Sequence, residues 1–529
     1  MVVRNANIIT LDTSKPRAQA MAIEGSRIIF TGSDDAARAH IKPATRVIDA
    51  GGRTIIPGLM DSHIHAIRAG LTPATEVTFD GARTIAGAMR RIRSAAQTTA
   101  ADEWIVVAGG WTPQQFAEGR KPSLREVTAA AQGRNVYIQL FYREVFVSPK
   151  GMQALGLTTQ SLPIGAVPER DTANRPTGWI AGKASAITAI YARLPHTGLA
   201  ERMRGTRRFF SRLNAYGVTG VIDPGGYNIG LKDYDALFAL WRKNQLTLRV
   251  AYSICAPTPG RELEEYKRYV KTLPSELRRP TGDSFLRFNG IGERVTWGFY
   301  NNDNPSPQET RAFEQTALWA AESGLTMTVH WNRSQSVPHL LNALKRVAEK
   351  RPFAHLRWSV AHLHDAQPQT IRAVKALNLG WLMQNAHYFA APSFVAKYAQ
   401  SLTLAPPIGT ALRIGLPVGG GTDASRVMSY NPFAALQWML DGRTVNGLPT
   451  RIARERPTRE QALRIWTQGS AWFAFAERQQ GTLAPGMLAD FAILSQDYMS
   501  VPVREIGAIQ SLLTSVGGRI VHTSAPFAK

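Results

Sequence analysis

The middle of the chain alternates short apolar runs with amphipathic segments, and this alternation restricts the fold more than any other feature. The runs include WIVVAGG, NVYIQLF, GVTGVID, LTLRVAYSI, FLRFNGIG, LTMTVHW, LRWSVAHL, LGWLMQN and LPVGGGTD. Between several of them lie stretches with helical spacing, such as TRAFEQTALWAAESG and VPHLLNALKRVAEK. A continuous apolar run bounded by turn residues suits a strand buried on both faces, and a helix between successive strands sets them parallel. So many strand–helix units in one chain favour a distorted TIM (β/α)8 barrel of the α/β class over a doubly wound open sheet. No GxGxxG follows an early strand, so a dinucleotide site has no support.

Both ends of the chain have a different texture. VVRNANIITLD, AMAIEGSRIIFTG and TRVIDAGGRTIIPG alternate apolar and polar residues between turn signals, and GTLAPGMLADFAILSQD and SLLTSVGGRIVHTSA repeat the pattern at the far end. These segments read as short antiparallel strands. They predict a small composite β-sandwich from residues 1–57 and 478–529, with the barrel at 58–477. The stretch from about 70 to 200 is too long for one barrel repeat and is expected to be an insertion after the first barrel strand, covering the mouth.

The single cysteine, Cys255, excludes an internal disulfide framework and any cysteine-rich metal site, so metal ligands must be His, Asp, Glu or Lys. Within LRVAYSICAP it reads as a buried structural thiol. The net charge of +23 permits an anionic partner. The basic residues are nevertheless spread over segments of helical spacing (RRIRS, RMRGTRRFFSR, KRVAEKR, RIARERPTRE), which fits solvated helix faces, and no nucleic-acid-binding signature is present. No apolar run is long enough to span a bilayer. The N-terminus enters an alternating strand at once, which predicts a cytoplasmic protein, or a periplasmic one if an export signal has been removed. The expected partner is a small-molecule substrate, with no nucleic acid and no membrane, and a homodimer is left open.

Polar residues that matter to a barrel enzyme sit where its strands end. His63 and His65 follow TIIPGLM, with Asp61 before them, and residues two apart in an extended segment point to the same side. Alone, a His-x-His pair is a weak signal. Further along, His330 ends LTMTVH, His362 ends LRWSVAH and Asp423 ends LPVGGGTD. Each by itself has an ordinary explanation as a capping aspartate or a core histidine; together, at successive strand ends, they point to a site. Neutral imidazoles and a carboxylate suit Zn2+ or a similar divalent ion, which lowers the pKa of a bound water toward ~7 and polarises a carbonyl. Asp423 is the expected general base and acid of such a hydrolysis.

PGLMDSHIH, His330, His362 and GTDAS resemble, in order, the HxH–His–His–Asp pattern of the amidohydrolase superfamily, and GMLADFAIL resembles the end of its composite β-sandwich. VVAGGWTPQQF, RPTGWI, NAYGVTGVID and WLMQNAHY are similar to its amidohydrolase 3 branch, the YtcJ-like and N-substituted formamide deformylase-like proteins. That resemblance implies a metal-dependent hydrolase of non-peptide C–N bonds with one or two divalent ions held by His63, His65, His330, His362 and Asp423. It also implies that Trp111 and His387 lie at the substrate pocket, against the competing roles of core tryptophan and structural histidine. Trp331, with Trp104, Trp297, Phe299 and Tyr300, hints at an apolar or aromatic substrate. The chain departs from the branch in two places. His330 is followed by Trp-Asn-Arg-Ser instead of the usual Ala-Ile-Gly-Asp, and FLRFNGIG lacks the usual bridging lysine, with Arg287 its nearest basic residue. Glu293, just beyond that strand, is the candidate to bridge two ions, or else a solvated loop carboxylate. One tightly held ion is favoured, with a second through Glu293. His364 and Asp365 are expected around the ligands, Asp365 and Asp61 as residues that orient histidines, though a turn role fits Asp61 equally. Ester or lactone hydrolysis on the same site is the alternative activity, and a non-catalytic, metal-binding regulatory relative the alternative class.

Overall fold

The computed structural model of the chain describes residues 1–71, 75–158, 160–195, 198–226, 229–274, 283–389 and 406–528. Eight parallel strands pair in chain order: β1 (Leu59–Asp61), β2 (Val218–Asp223), β3 (Arg249–Ile254), β4 (Leu286–Ile291), β5 (Thr326–Trp331), β6 (Ser359–His362), β7 (Gly380–Gln384) and β8 (Val418–Gly421). Ser62 N donates to Gly420 O (2.9 Å) and Asp423 N to His63 O (2.8 Å), which brings the end of β8 against the end of β1 and makes the sheet a nearly closed barrel. Strands β2, β3, β6, β7 and β8 are buried throughout, as their unbroken apolar runs require when helices cover the outside. Helices Asp235–Arg242, Glu262–Thr272, Pro307–Glu322, Val337–Lys350 and Pro368–Ala376 connect successive strands from β2 to β7.

Two runs of the middle segment, WIVVAGG and NVYIQLF, do not enter the barrel. They form Trp104–Val107 and Asn135–Leu140, a parallel pair inside a separate six-stranded sheet that spans Thr75–Glu76 to Pro176–Gly182. This sheet lies between β1 and β2 in the chain, within the stretch expected to be inserted; residues 72–74, 159, 196 and 197 of that stretch lie outside the described residues.

The two chain ends share a core. One sheet of four strands comes from residues 2–49, and a second of six strands joins Asn7–Ile9, Arg17–Ala18 and Thr54–Pro57 to Phe491–Leu494, Ser511–Val516 and Arg519–Thr523. Ile8, Met21, Ile28 and Ile55 pack there against Leu483, Phe491, Ile493 and Leu513. Not all the N-terminal strands are antiparallel: Val2–Arg4 runs parallel to Val47–Asp49, and Asn7–Ile9 parallel to Thr54–Pro57. The hairpin Ala20–Glu24/Arg27–Gly32 intervenes in the chain, so the later strands return in the same direction. A buried ion pair fastens this unit to the barrel. Arg249 at the start of β3 donates from Nε and Nη2 to Asp490 (2.7 and 2.9 Å).

On helix Leu199–Asn214, Met203, Phe209, Phe210 and Leu213 are buried while Arg204, Arg207 and Arg208 are exposed, so this cluster of basic residues occupies a solvent face. Among the described residues no helix is long and apolar enough to cross a membrane.

Candidate metal centre

At the C-terminal mouth of the barrel one carboxylate, Glu293, stands among four imidazoles. Glu293 follows β4 and is 3 % exposed, which rules out a solvated loop position. Its Oε2 lies 2.8 Å from His330 Nδ1, 3.1 Å from His362 Nε2 and 3.4 Å from His63 Nε2, and its Oε1 lies 3.5 Å from His65 Nε2. Asp423, just beyond β8, places Oδ1 3.1 Å from His65 Nε2 and 3.7 Å from His63 Nε2. Thus the strand ends of β1, β4, β5, β6 and β8 converge, as the position of functional groups in a (β/α)8 barrel demands.

Local chemistry sets each ring. Asp61, the last residue of β1, accepts from His63 N (3.0 Å), Thr422 N (3.1 Å) and Thr422 Oγ1 (2.6 Å), so it fixes the backbone that carries His63 and ties it to the end of β8. His65 Nδ1 is 2.7 Å from the carbonyl of Gly225. A carbonyl only accepts, so Nδ1 carries the proton and the Nε2 lone pair faces the carboxylates. Both ring nitrogens of His63 are buried without a hydrogen-bond partner. His330 Nδ1 and His362 Nε2 approach to 2.7 Å, a contact in which at most one nitrogen can hold a proton. His362 (φ 73°) and Asp423 (φ 56°) adopt left-handed backbone, a cost of about 1–3 kcal/mol each that recurs at functional positions.

Orphaned nitrogens, converging lone pairs and a central carboxylate fit a divalent cation. Two groups have ligand atoms close enough together for one ion each: His63, His65 and Glu293, and Glu293, His330 and His362. Glu293 belongs to both. Burial raises the Glu293 carboxyl, but the His330 charge and the close approach of the His330, His362 and His63 rings outweigh it and hold the acid well below its ordinary range. Burial and the neighbouring His330 charge push His362 down to about 4, so its imidazole is neutral at pH 7 and able to ligate. His63 is raised: burial opposes its charge, yet the Glu293 carboxylate, 3.4 Å from its Nε2, and the charges of Asp423 and Asp61 prevail.

A cavity of about 530 Å3 opens over this cluster, lined by His65, Glu293, His330 and Asp423 from the barrel. Phe141, Tyr142 and Arg143 line it from the inserted sheet, with Ala184 and Thr188 from helix Ala184–Tyr191, so the inserted stretch forms part of the cavity wall.

The other residues singled out in the sequence separate into two groups. His387 lines the cavity, with Nε2 2.6 Å from His364 O, and His364 lines it too. Trp331 does not. It is fully buried behind the barrel wall, its Nε1 donating to Ser336 Oγ (3.1 Å) and its ring beside Phe299, because consecutive strand residues point to opposite faces and His330 takes the inner one. Trp111 likewise stands away from the cavity, in the core of the insertion, with Nε1 donating to Gln139 O (2.8 Å) and its ring among Phe79, Phe116 and Trp179. Among the described residues Asp365 bonds to no histidine; its Oδ1 accepts from Ser334 N. Arg287 near the start of β4 donates to Ala474 O, at the opposite end of the strand from Glu293. Asp223, at the end of β2, was not singled out by sequence. It accepts from Ile67 N (2.8 Å) and Gly225 N (2.9 Å) and so supports the segments that carry and orient His65. Its signal was available: GVTGVID ends on a carboxylate as LPVGGGTD does.

A sequence model of the amidohydrolase family (Amidohydro_3) matches residues 46–522. Among curated proteins, the chain is 24 % identical to Protein LONG AFTER FAR-RED 3 of Arabidopsis thaliana, covering 99 % of this chain and 91 % of that protein. It is 21 % identical to the N-substituted formamide deformylase of Arthrobacter pascens (98 % and 97 % covered) and 22 % to the putative amidohydrolase YtcJ of Bacillus subtilis (97 % and 98 %). Among solved structures, an uncharacterized metal-dependent hydrolase of Pyrococcus horikoshii superposes with a TM-score of 0.66 at 17 % identity, covering 95 % of this chain and 99 % of that one. Atrazine chlorohydrolase TrzN of Arthrobacter aurescens, complexed with zinc, gives 0.57 at 16 % identity, covering 100 % and 97 %.

Proposed function

The chain belongs to the amidohydrolase family, and from that premise we propose that it hydrolyses a C–N bond of an amide, N-formyl or cyclic amide substrate at a centre of two divalent ions bridged by Glu293. The observation that carries this reading is the position of Glu293, common to both groups able to hold an ion. His63 and His65 would hold one ion with it, and His330 and His362 the other. Zinc suits these ligands, and TrzN is a zinc-complexed protein of similar fold. Bound divalent ions acidify water and polarise a scissile carbonyl.

The chain's own groups do the rest. Asp423, whose Oδ1 reaches His65 and whose side chain lines the cavity, accepts the proton of the attacking water and returns it to the leaving nitrogen. Asp61, Asp223 and the Gly225 carbonyl keep His63 and His65 in register. Phe141, Tyr142 and Arg143 of the inserted segment form part of the cavity wall. Metal analysis of the purified protein tests the proposal, with turnover of N-formyl amines, N-acyl amino acids and lactones before and after chelation. Amide turnover that disappears on chelation and returns with zinc is expected. Activity undiminished in metal-free protein contradicts the mechanism, and turnover confined to lactones replaces the amide by the ester reading.

A further inference from the structure

Arg68 lies on the short helix Ala66–Gly70, three residues past His65, and its side chain lines the same cavity. It is only 5 % exposed, yet its Nε and Nη1 have no hydrogen-bond partner. A buried guanidinium left unpaired is costly, so it calls for an anion. Among the described residues no carboxylate forms an ion pair with it. Asp223 acts on it from a distance, but both Asp223 oxygens are engaged by the backbone amides of Ile67 and Gly225. Glu293 and Asp423 face the histidines. A second buried guanidinium, Arg294, stacks on Trp297 and Tyr300 and adds like charge on that side. Gly226 lies close against both side chains: a Cβ there would come within 3.5 Å of Arg68 Nη1 and 2.9 Å of His65 Nδ1.

We propose that Arg68 receives a carboxylate of the substrate, so that the enzyme acts on anionic amides of the N-acyl or N-formyl amino acid class. A guanidinium, charged at every physiological pH, is a suitable partner for a carboxylate. Phe141, Val427 and Met428 give the same cavity apolar wall for a side chain. This inference rests on the hydrolase reading for its substrate but on Arg68 alone for its anion.

The test compares N-acetylphenylalanine, in both enantiomers, with N-acetylphenethylamine, which differs only in lacking the carboxylate. The metal-loaded wild type, R68M and R68K are each assayed for kcat/KM and, by calorimetry, for binding, with thermal melts to verify folding. Hydrogen bonds to a charged group correspond to about 10- to 150-fold, so the wild type should prefer the acid by that factor, mainly through KM. R68M should lose the preference, its kcat/KM falling far more on the acid than on the neutral amide, and R68K should fall between. Equal treatment of the two compounds by the wild type, or an equal loss on both in R68M, overturns the proposal. If R68M does not fold, R68K and the wild-type ratio decide. If the wild type hydrolyses neither compound, the hydrolase reading is what suffers: tighter binding of the acid that R68M or R68K loses still supports Arg68, and no preference in binding refutes it.

Discussion

Replacing Glu293 by glutamine keeps the side-chain volume and removes the charge on which four imidazoles converge. The shortest contacts are 2.8 Å to His330 and 3.1 Å to His362, one of them a hydrogen bond to a charged group because only one of those two nitrogens holds a proton, and His63 and His65 follow at 3.4 and 3.5 Å. Such bonds contribute about 1.5–3 kcal/mol each. The amide oxygen of glutamine keeps part of this, so metal-free E293Q should lose about 3 kcal/mol or less in urea unfolding and stay folded. The metal-loaded protein should suffer far more. Losing a group that only orients a ligand lowers metal affinity ~10–100-fold. Glu293 is a proposed ligand in both groups, so that range is a floor for each ion. Plasma emission after gel filtration should give two equivalents of zinc for the wild type and less than one for E293Q, with turnover at least ~10²-fold lower. Asp365→Asn, which alters a carboxylate that accepts from Ser334 N and belongs to neither candidate ion group, is the control and should retain its zinc. Two equivalents and undiminished turnover in E293Q would refute the bridging role.

Asp423→Asn should remain folded and lose turnover by ~10²–10⁴-fold, the range for a general acid–base group, measured on the best amide of the substrate panel. Asp490→Ala strands the guanidinium of Arg249, with both side chains 4 % exposed, and should cost about 3–5 kcal/mol in urea unfolding. Burial raises the Glu76 carboxyl to about 7, with Arg212 (3.7 Å) opposing and Tyr430 nearby. The folded state therefore keeps a proton that the unfolded chain has released, and stability falls as pH rises from about 4.5 to 7. Glu76→Gln should remove on the order of 3 kcal/mol of that decline, seen as a flatter pH dependence of the unfolding midpoint; an unchanged profile places the loss elsewhere.

The barrel was legible because parallel strands buried on both faces must be apolar throughout, and β2 to β8 all appear as such runs. WIVVAGG and NVYIQLF carry the same signature but belong to the insertion, since an apolar run says that a strand is buried and not in which sheet. Helix Pro307–Glu322 begins before the periodic stretch TRAFEQTALWAAESG, where Ser306 and Glu309 form a capping box with proline at the first turn. The candidate ligands were legible as strand-end residues. Glu293 was ambiguous in sequence because its meaning depends on His63, more than two hundred residues away. Trp331 was read with other aromatic residues as a substrate contact, although strand alternation turns it away from the side that His330 occupies. Arg68 could not be read at all: in HIHAIRAG it is an ordinary helical arginine, and only the fold leaves it buried and unpaired.

The bridging role of Glu293 is tested most directly by anomalous X-ray scattering at the zinc edge from zinc-loaded crystals. Two peaks flanking the Glu293 carboxylate, one between His63 and His65 and the other between His330 and His362, are the predicted result. A single peak that does not touch Glu293, or no peak in a protein that turns over amides, would contradict it.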